Sequence, residues 1–354
     1  MSNPVLTRAI DALASRRDLT SEEAAEVLSE IMHGEVSETQ IAGFLIALRT
    51  KGETVDELSG LAGTMRSLAA RVPTERDDLL DTAGTGGGRS TFNVSTTAAM
   101  IAAGAGCAVA KHGNRSATSR SGSADVLEAL GARIDLDPAG VARCIDEAGF
   151  GFMFAPAHHQ ATRLVVPVRR ELAVRTIFNM IGPLTNPAGA RRQLIGVSDC
   201  DFLETIAGAL ARLGVDRAMV VAGEDGVDEI SIAAATSVVE VNGEELSRYT
   251  LTPGDVGIGF VDAAHEGEYA GGTPGENAAL TRAILEDRTG AQHRASADLA
   301  TINAGAAIYV AGRSDTIAEG VEAARRALAE GSAAEALERY VQASQTYAPA
   351  KAAP

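Results

Sequence analysis

Tryptophan is absent from the 354 residues, and aromatic side chains make up only 4%. With 45% hydrophobic residues, the interior must be filled by Ala, Val, Leu and Ile. The chain is long enough for a large core, in one long α/β domain or two domains. Cysteines number three, Cys107, Cys144 and Cys200, scattered without metal spacing, which argues against a disulfide framework. No run is long and apolar enough to span a bilayer. The most membrane-like one, 98–110, is Gly/Ala-rich and about 13 residues long, where roughly 20 are needed. Residues 1–17 lack the apolar centre of a signal peptide. These absences predict a soluble, cytoplasmic protein with no membrane partner. Positive charge is also short: 31 Lys and Arg stand against 47 Asp and Glu, a net charge of −16. That disfavours general nucleic-acid binding, which needs a basic face to displace phosphate counterions. A local positive pocket on an acidic surface remains open to a small anion.

One local absence is more informative. From Thr82 to Ala124 there is no Asp or Glu, while Arg89, Lys111, Arg115 and Arg120 are all present. The segment opens with Asp81-Thr-Ala-Gly-Thr-Gly-Gly-Gly-Arg-Ser-Thr-Phe-Asn-Val-Ser-Thr96, which reads as a strand end, a glycine loop and a helix start. Small residues there admit a phosphate, and free backbone N–H groups point at it. Neither Walker A nor dinucleotide spacing is met, and a tight turn needing positive φ would use the same glycines. Asn93, Ser95 and Thr96 can cap the next helix, donate to a phosphate or ligate a metal.

Residues 1–72 read as all-helical. Leu6, Ile10 and Leu13 recur at helical spacing, and Thr20 with Glu23, Ser37 with Gln40, and Thr54 with Glu57 fit capping boxes. Gly34 and Gly52 suit helix ends. From 73 to 345 the texture is α/β. Short strands are predicted at 79–82, 107–110, 150–154, 193–197 and 217–222, alternating with helices at 93–104, 124–130, 138–148 and 201–213. This is the pattern of a mostly parallel sheet covered by helices. Residues 237–250 read as a hairpin turning at Asn242-Gly243. Residues 157–187 break the alternation and are expected beside the N-terminal helices. Residues 346–354 read as a loose tail.

Three further segments carry chemistry. Lys111-His-Gly-Asn-Arg-Ser-Ala-Thr-Ser119 follows a strand, so it belongs at the sheet edge where open α/β sheets bind ligands. It offers charge, a close backbone approach at Gly113 and several hydroxyls. In Arg163-Leu-Val-Val-Pro-Val-Arg-Arg-Glu-Leu-Ala-Val-Arg175, Arg169 or Arg170 offers a guanidinium fork for a carboxylate, or else the segment is a solvated helix face. His158 and His159 read as structural. Gly223-Glu-Asp-Gly-Val-Asp-Glu-Ile230 places paired carboxylates at the same edge. Mg²⁺ takes one or two carboxylates and shares substrate phosphates; a surface acidic turn would look the same.

Taken together, the motifs resemble the anthranilate phosphoribosyltransferase family. They are Gly84-Thr-Gly-Gly87, Asn93-Val-Ser-Thr96, Lys111-His-Gly-Asn-Arg115, Ser121-Gly-Ser-Ala-Asp-Val-Leu-Glu-Ala-Leu-Gly131, Arg175-Thr-Ile-Phe-Asn-Met-Ile-Gly-Pro-Leu-Thr-Asn-Pro187 and Asp225-Gly-Val-Asp-Glu229. The resemblance runs to near residue 345. It implies a small helical domain joined to a large α/β domain, a homodimer formed through the helical domain, and a site between the domains. The substrates it implies are 5-phosphoribosyl 1-diphosphate and anthranilate, with two Mg²⁺ per subunit. By position, the donor is expected on Gly84, Gly87, Gly88, Thr91, Asn93, Val94, Ser95, Thr96, Lys111, His112, Gly113, Asn114, Arg115, Ser116, Ser119 and Ser123. Anthranilate is expected on Asn114 and Arg169, with Gly84, His112 and Pro183 lining its path. Ser95, Asp228 and Glu229 match the metal positions.

The first loop departs from the family. Gly88 stands where members commonly carry Asp, and the loop is a residue shorter. Ala173 occupies a position where Gly is frequent, a difference expected to matter little. A pyrimidine nucleoside phosphorylase shares the architecture, but its Ser-Gly-Arg-type loop is replaced here by Lys-His-Gly-Asn-Arg. A non-catalytic nucleic-acid-binding relative is opposed by the acidic charge and by the intact Asp228-Glu229 pair.

Overall fold

The structure is a computed structural model and describes residues 2–116, 119–262, 267–290 and 293–349. Four helices open the chain: α1 (Pro4–Ala14), α2 (Ser21–His33), α3 (Glu38–Lys51) and α4 (Val55–Leu68). Thr20 and Thr54 form the expected capping boxes. Ser37 accepts the Gln40 N–H, but the Gln40 side chain turns to Asn3 and leaves that box half made. Glu57, fully buried, accepts the Leu19 N–H at 3.0 Å and pairs with Lys51 at 3.0 Å, tying α4 to the α1–α2 connection.

The sheet has seven strands in the order β3-β2-β1-β4-β5-β6-β7. They are β1 (Leu79–Gly84), β2 (Ala108–Gly113), β3 (Phe150–Phe154), β4 (Arg192–Gly196), β5 (Arg217–Gly223), β6 (Thr236–Asn242) and β7 (Glu245–Leu251). The first five are parallel, and the last two form an antiparallel hairpin. Asn242 pairs with Glu245, so the hairpin turns on Gly243 and Glu244 rather than on Asn242-Gly243. Gly243 has φ +60°, as a two-residue turn with glycine first requires.

Period-two alternation divides the core between the sheet's faces. On β5, Met219 and Val221 face one cluster, while Ala218, Val220 and Ala222 face another. The first face carries α5 (Val94–Gly104), α6 (Ser123–Ala129) and α7 (Pro138–Ala148), and later helices close it. Asp137 caps α7, its side chain accepting the Gly140 N–H at 2.7 Å. Helix α5 is buried on almost every side between the sheet and the later helices, so the membrane-like run is the second half of a core helix followed by the start of buried strand β2.

The second face packs the N-terminal helices together with 155–187. That segment holds α8 (Ala155–His158), α9 (Val166–Leu172) and α10 (Phe178–Ile181), and Val165, Val168, Phe178, Ile181 and Leu184 join the α1–α4 core. Next come α11 (Leu203–Arg212), α12 (Pro274–Leu285), α13 (Arg294–Val310), α14 (Ile317–Ala329) and α15 (Ser332–Tyr347). Helix α15 therefore continues through 346–347, where a tail was expected; 350–354 lie outside the described residues, as does Thr118.

Ala173 ends α9 at φ +51°, a left-handed conformation that a Cβ disfavours. The family's usual glycine has a reason here. Ala173→Gly is expected to stabilise the protein by about 1 kcal/mol, read as a higher urea midpoint at unchanged slope. An unchanged midpoint would show that the backbone relaxes around alanine.

Candidate functional site

Strand β1 lies where the connections diverge: β2 is on one side of it, β4 on the other. Open α/β sheets bind ligands at such a point. Gly84 ends β1 beside Gly196 of β4, and the 223–230 loop folds over both. A Cβ on Gly84 would lie 2.5 Å from Asp228 Oδ2, and one on Gly196 would overlap the Asp228 carbonyl.

Three N–H groups in and beside the glycine loop are already committed within the protein. Thr85 N–H donates to Gly196 O at 2.9 Å, Gly86 N–H to Asp228 Oδ2 at 2.9 Å, and Arg89 N–H to Gly226 O at 2.8 Å. A Cβ on Gly88 would sit 2.6 Å from Gly226 O and 3.2 Å from Asp228 N. An Asp at 88 cannot occupy this backbone path, so the departure from the family pattern belongs to the shorter loop's tighter seat.

Thr91 Oγ1 donates to Glu229 Oε1 at 2.8 Å. Glu229 Oε2 is buried with no partner. Burial, and then the neighbouring Asp228 charge, hold the Glu229 carboxyl well above its ordinary range; burial raises Asp228 as well. Two adjacent carboxylates at this edge, one with a buried, unpartnered oxygen, are the donor set that a hard divalent cation completes. Among the described residues no group of three or more His, Cys, Asp or Glu side chains could hold a metal alone. Two carboxylates plus ligand oxygens are what this geometry offers.

A second cluster lies under the loop. Lys111 is 1% exposed and donates to Thr82 O at 2.5 Å and to Ser95 Oγ at 3.2 Å. Burial lowers its pKa to about 8, against the pull of Asp81. Asp81, also buried, accepts the His112 N–H at 3.1 Å and Asn186 Nδ2 at 2.7 Å. Asp81 and Asn186 thus position Lys111 and His112, and sequence reading gave neither that role. Asn93 makes no capping bond. Its amide is spent on Ser121, at 3.0 and 3.1 Å, and on Asn277 of α12, at 2.8 Å. Asn277 had no sequence signal, because it is far along the chain. Thr96 is buried with an unpartnered hydroxyl, and Val94 belongs to the core.

The 111–123 loop is partly self-satisfied. Arg115 pairs with Asp125 at 2.8 Å and Glu128 at 2.5 Å of α6, so its charge is neutralised locally. Ser116 and Ser119 bond each other, and Ser123 Oγ donates to Asn114 O beyond Gly113. Asn114 is exposed. Arg169 is half-buried over the Phe178 ring, 5.5 Å from its centroid, and reaches Asn179 Oδ1 at 3.4 Å. It has no carboxylate partner among the described residues. Pro183 is buried, its carbonyl accepting from Gln193. Arg169 and Asn114 are not hydrogen-bonded to each other.

Three buried histidines meet where 155–187 passes the sheet. His112 and His159 rings lie 5.1 Å apart, and Nε2 of His112, His158 and His159 is buried without a partner. Burial lowers all three, His159 from 6.5 to about 4. The unfolded chain therefore takes up these protons first. Stability is full above about pH 6.5 and falls as pH drops towards 4. His159→Gln should flatten that acid limb in thermal melts; an identical limb would assign it elsewhere.

A helical domain beside a large α/β domain with a mostly parallel sheet is the fold of a class of glycosyl transferases. Residues 7–69 match the glycosyl transferase family, helical bundle domain, and residues 76–334 match the glycosyl transferase family, a/b domain. Within that class, the chain belongs to the anthranilate phosphoribosyltransferase family. It is 50% identical over 346 residues to the anthranilate phosphoribosyltransferase of Rubrobacter xylanophilus, covering 97% of this chain and 99% of that one. The crystal structure of the Thermus thermophilus anthranilate phosphoribosyltransferase aligns with a TM-score of 0.88 at 45% identity, covering 95% and 99%. The Saccharomyces cerevisiae enzyme in complex with PRPP and Mg aligns at 0.87 and 25% identity, covering 98% and 99%.

Proposed function

We propose that this chain transfers the 5-phosphoribosyl group of 5-phosphoribosyl 1-diphosphate to the amine of anthranilate, giving N-(5-phosphoribosyl)anthranilate and diphosphate in tryptophan biosynthesis. The observation that carries this most directly is the Asp228–Glu229 pair, bonded to the glycine loop through Gly86 and Thr91, with Glu229 Oε2 buried and unpartnered beside it. Mg²⁺, two ions per subunit on our reading, would be held by Asp228, Glu229 and Ser95 and would offset charge on the departing diphosphate. The loops from Gly84 to Thr96 and from Lys111 to Ser123 hold the donor. Gly84, His112, Asn114, Arg169 and Pro183 receive anthranilate. We assign 1–72 and 157–187 to a helical unit and 73–345 to the donor-binding unit. The helical unit forms the homodimer, and the protein works in the cytoplasm. No described helix is long and apolar enough to cross a membrane.

An arylamine is largely unprotonated at neutral pH, so no strong base is needed to expose its lone pair. Attack on ribose C1 inverts that carbon. Catalysis then rests on positioning and on charges prearranged around the leaving group. The test is loss of anthranilate fluorescence, requiring both the donor and Mg²⁺. Turnover of a pyrimidine nucleoside with inorganic phosphate instead would reassign the chain to the phosphorylases. Arg169→Ala should raise the anthranilate KM roughly tenfold or more with kcat little changed, since a charged hydrogen bond contributes about 1.5–3 kcal/mol. An unaltered anthranilate KM would remove Arg169 from the acceptor site.

A further inference from the structure

The acid-free stretch promised several cations for the donor's diphosphate, and the structure has already committed most of them. Lys111 is buried against Thr82 and Ser95. Arg115 is neutralised by Asp125 and Glu128. Arg120 lies 3.7 Å from Glu276, and Arg89 has contacts of its own. Arg175, beyond that stretch in sequence, also reaches the glycine loop. Its Nη2 donates to the Gly86 carbonyl, and Nη1 and Nη2 each lie 3.1 Å from Ser198 Oγ. No carboxylate pairs with it among the described residues. Its charge also acts on Asp228, which holds the N–H of the same Gly86.

Gly87 is shaped for this contact. Its φ is +81°, and a Cβ there would overlap the Arg175 guanidinium. The Arg175 backbone is anchored in turn: its carbonyl accepts from Arg49 Nη1 of α3 at 2.9 Å. One residue therefore links the helical bundle to the loop at the donor site.

We propose that Arg175 is a further donor-binding residue: it leaves the Gly86 carbonyl for the diphosphate of the bound donor, carrying a cation to the loop while staying tied to α3. The inference rests on the transferase reading above. A neutral carbonyl is a weaker partner for guanidinium than a phosphate oxygen, which forms short, charge-assisted and often bidentate bonds. The exchange is therefore favourable once the diphosphate arrives. The same event frees Gly86 to turn its N–H from Asp228, which the metal then needs.

Calorimetric titration with inorganic diphosphate and Mg²⁺ tests this without the acceptor. Arg175→Ala should weaken binding roughly tenfold or more, and Arg175→Lys should fall between it and the wild type because a point charge replaces a fork. In turnover the Ala variant should raise the donor KM and leave the anthranilate KM within about twofold. A purely structural clasp would not produce that split. Gly87→Ala should also weaken binding, because the added methyl displaces the same guanidinium and, at φ +81°, strains the loop itself. A cooperative melt within a few degrees of wild type certifies each variant. Wild type and Arg175→Ala binding diphosphate equally well, or the variant binding more tightly, overturns the inference and leaves the transferase reading intact. A wild type that ignores diphosphate overturns both.

Discussion

Replacing Asp228 by Asn together with Glu229 by Gln is expected to stabilise the metal-free protein at neutral pH and to abolish Mg²⁺-dependent turnover. The two effects have one cause. Burial, with mutual repulsion at Glu229, raises both carboxyls above their ordinary values of 3.8 and 4.5. The unfolded chain releases these protons at lower pH than the folded one, so wild-type stability falls as pH rises from about 4 through the raised values. Neutral amides have no such slope. Their NH₂ groups can also be turned away from Gly86 and Thr91 so that both existing hydrogen bonds survive. The wild type should therefore melt below the double variant at pH 7.5 without Mg²⁺, and the order should reverse when Mg²⁺ and diphosphate are added, because ligands stabilise only the protein that binds them. Turnover should fall by roughly a thousandfold, the scale of losing a prearranged charge at a leaving group. A double variant that is both less stable without ligand and fully active would place the metal elsewhere.

The sequence showed the sheet more readily than the site. All five parallel strands, and the helices between them other than those of 155–187, were legible because each carries its own apolar run, cap or turn. The 98–110 run shows the limit of composition: it read as the most membrane-like segment, and only the structure shows it as the end of core helix α5 and the start of buried strand β2. The site depends on pairings distant in sequence. Arg115 carries the right charge in the right loop, yet Asp125 and Glu128, just beyond the acid-free stretch, neutralise it. Asn93 was chosen for its motif, but Asn277, 184 residues away, fixes its amide. Arg175 closed a motif and was given no role, because nothing local says that its side chain reaches Gly86. Gly88 looked like a lost Asp, and the packing of Gly226 over it supplies the reason.

Gly196→Ala should be the most damaging single methyl in the site. Gly196 ends β4 beside Gly84, within the ladder that sets the β1–β4 register. Its missing Cβ lies where the Asp228 carbonyl runs, so the contact would be with backbone and no rotamer change can relieve it. Either the 223–230 loop lifts or β4 shifts. The ladder bonds along β1, β4 and β5 favour moving the loop. Lifting it separates Asp228 from Gly86, Glu229 from Thr91 and Gly226 O from the Arg89 N–H together. Misplacing such groups by about 1 Å costs roughly a hundredfold in rate, and the variant should lose at least that much, with a donor KM that rises and an anthranilate KM that does not. Far-ultraviolet circular dichroism should remain that of the wild type, because the sheet itself is not cut. Gly275→Ala is the matched control: nothing lies within 4 Å of its Cβ position, and it sits in the first turn of α12. It should leave activity unchanged and be neutral to slightly stabilising, by about 0.5 kcal/mol. If Gly196→Ala matches that control in turnover, the 223–230 loop does not hold its carboxylates against the glycine loop during catalysis.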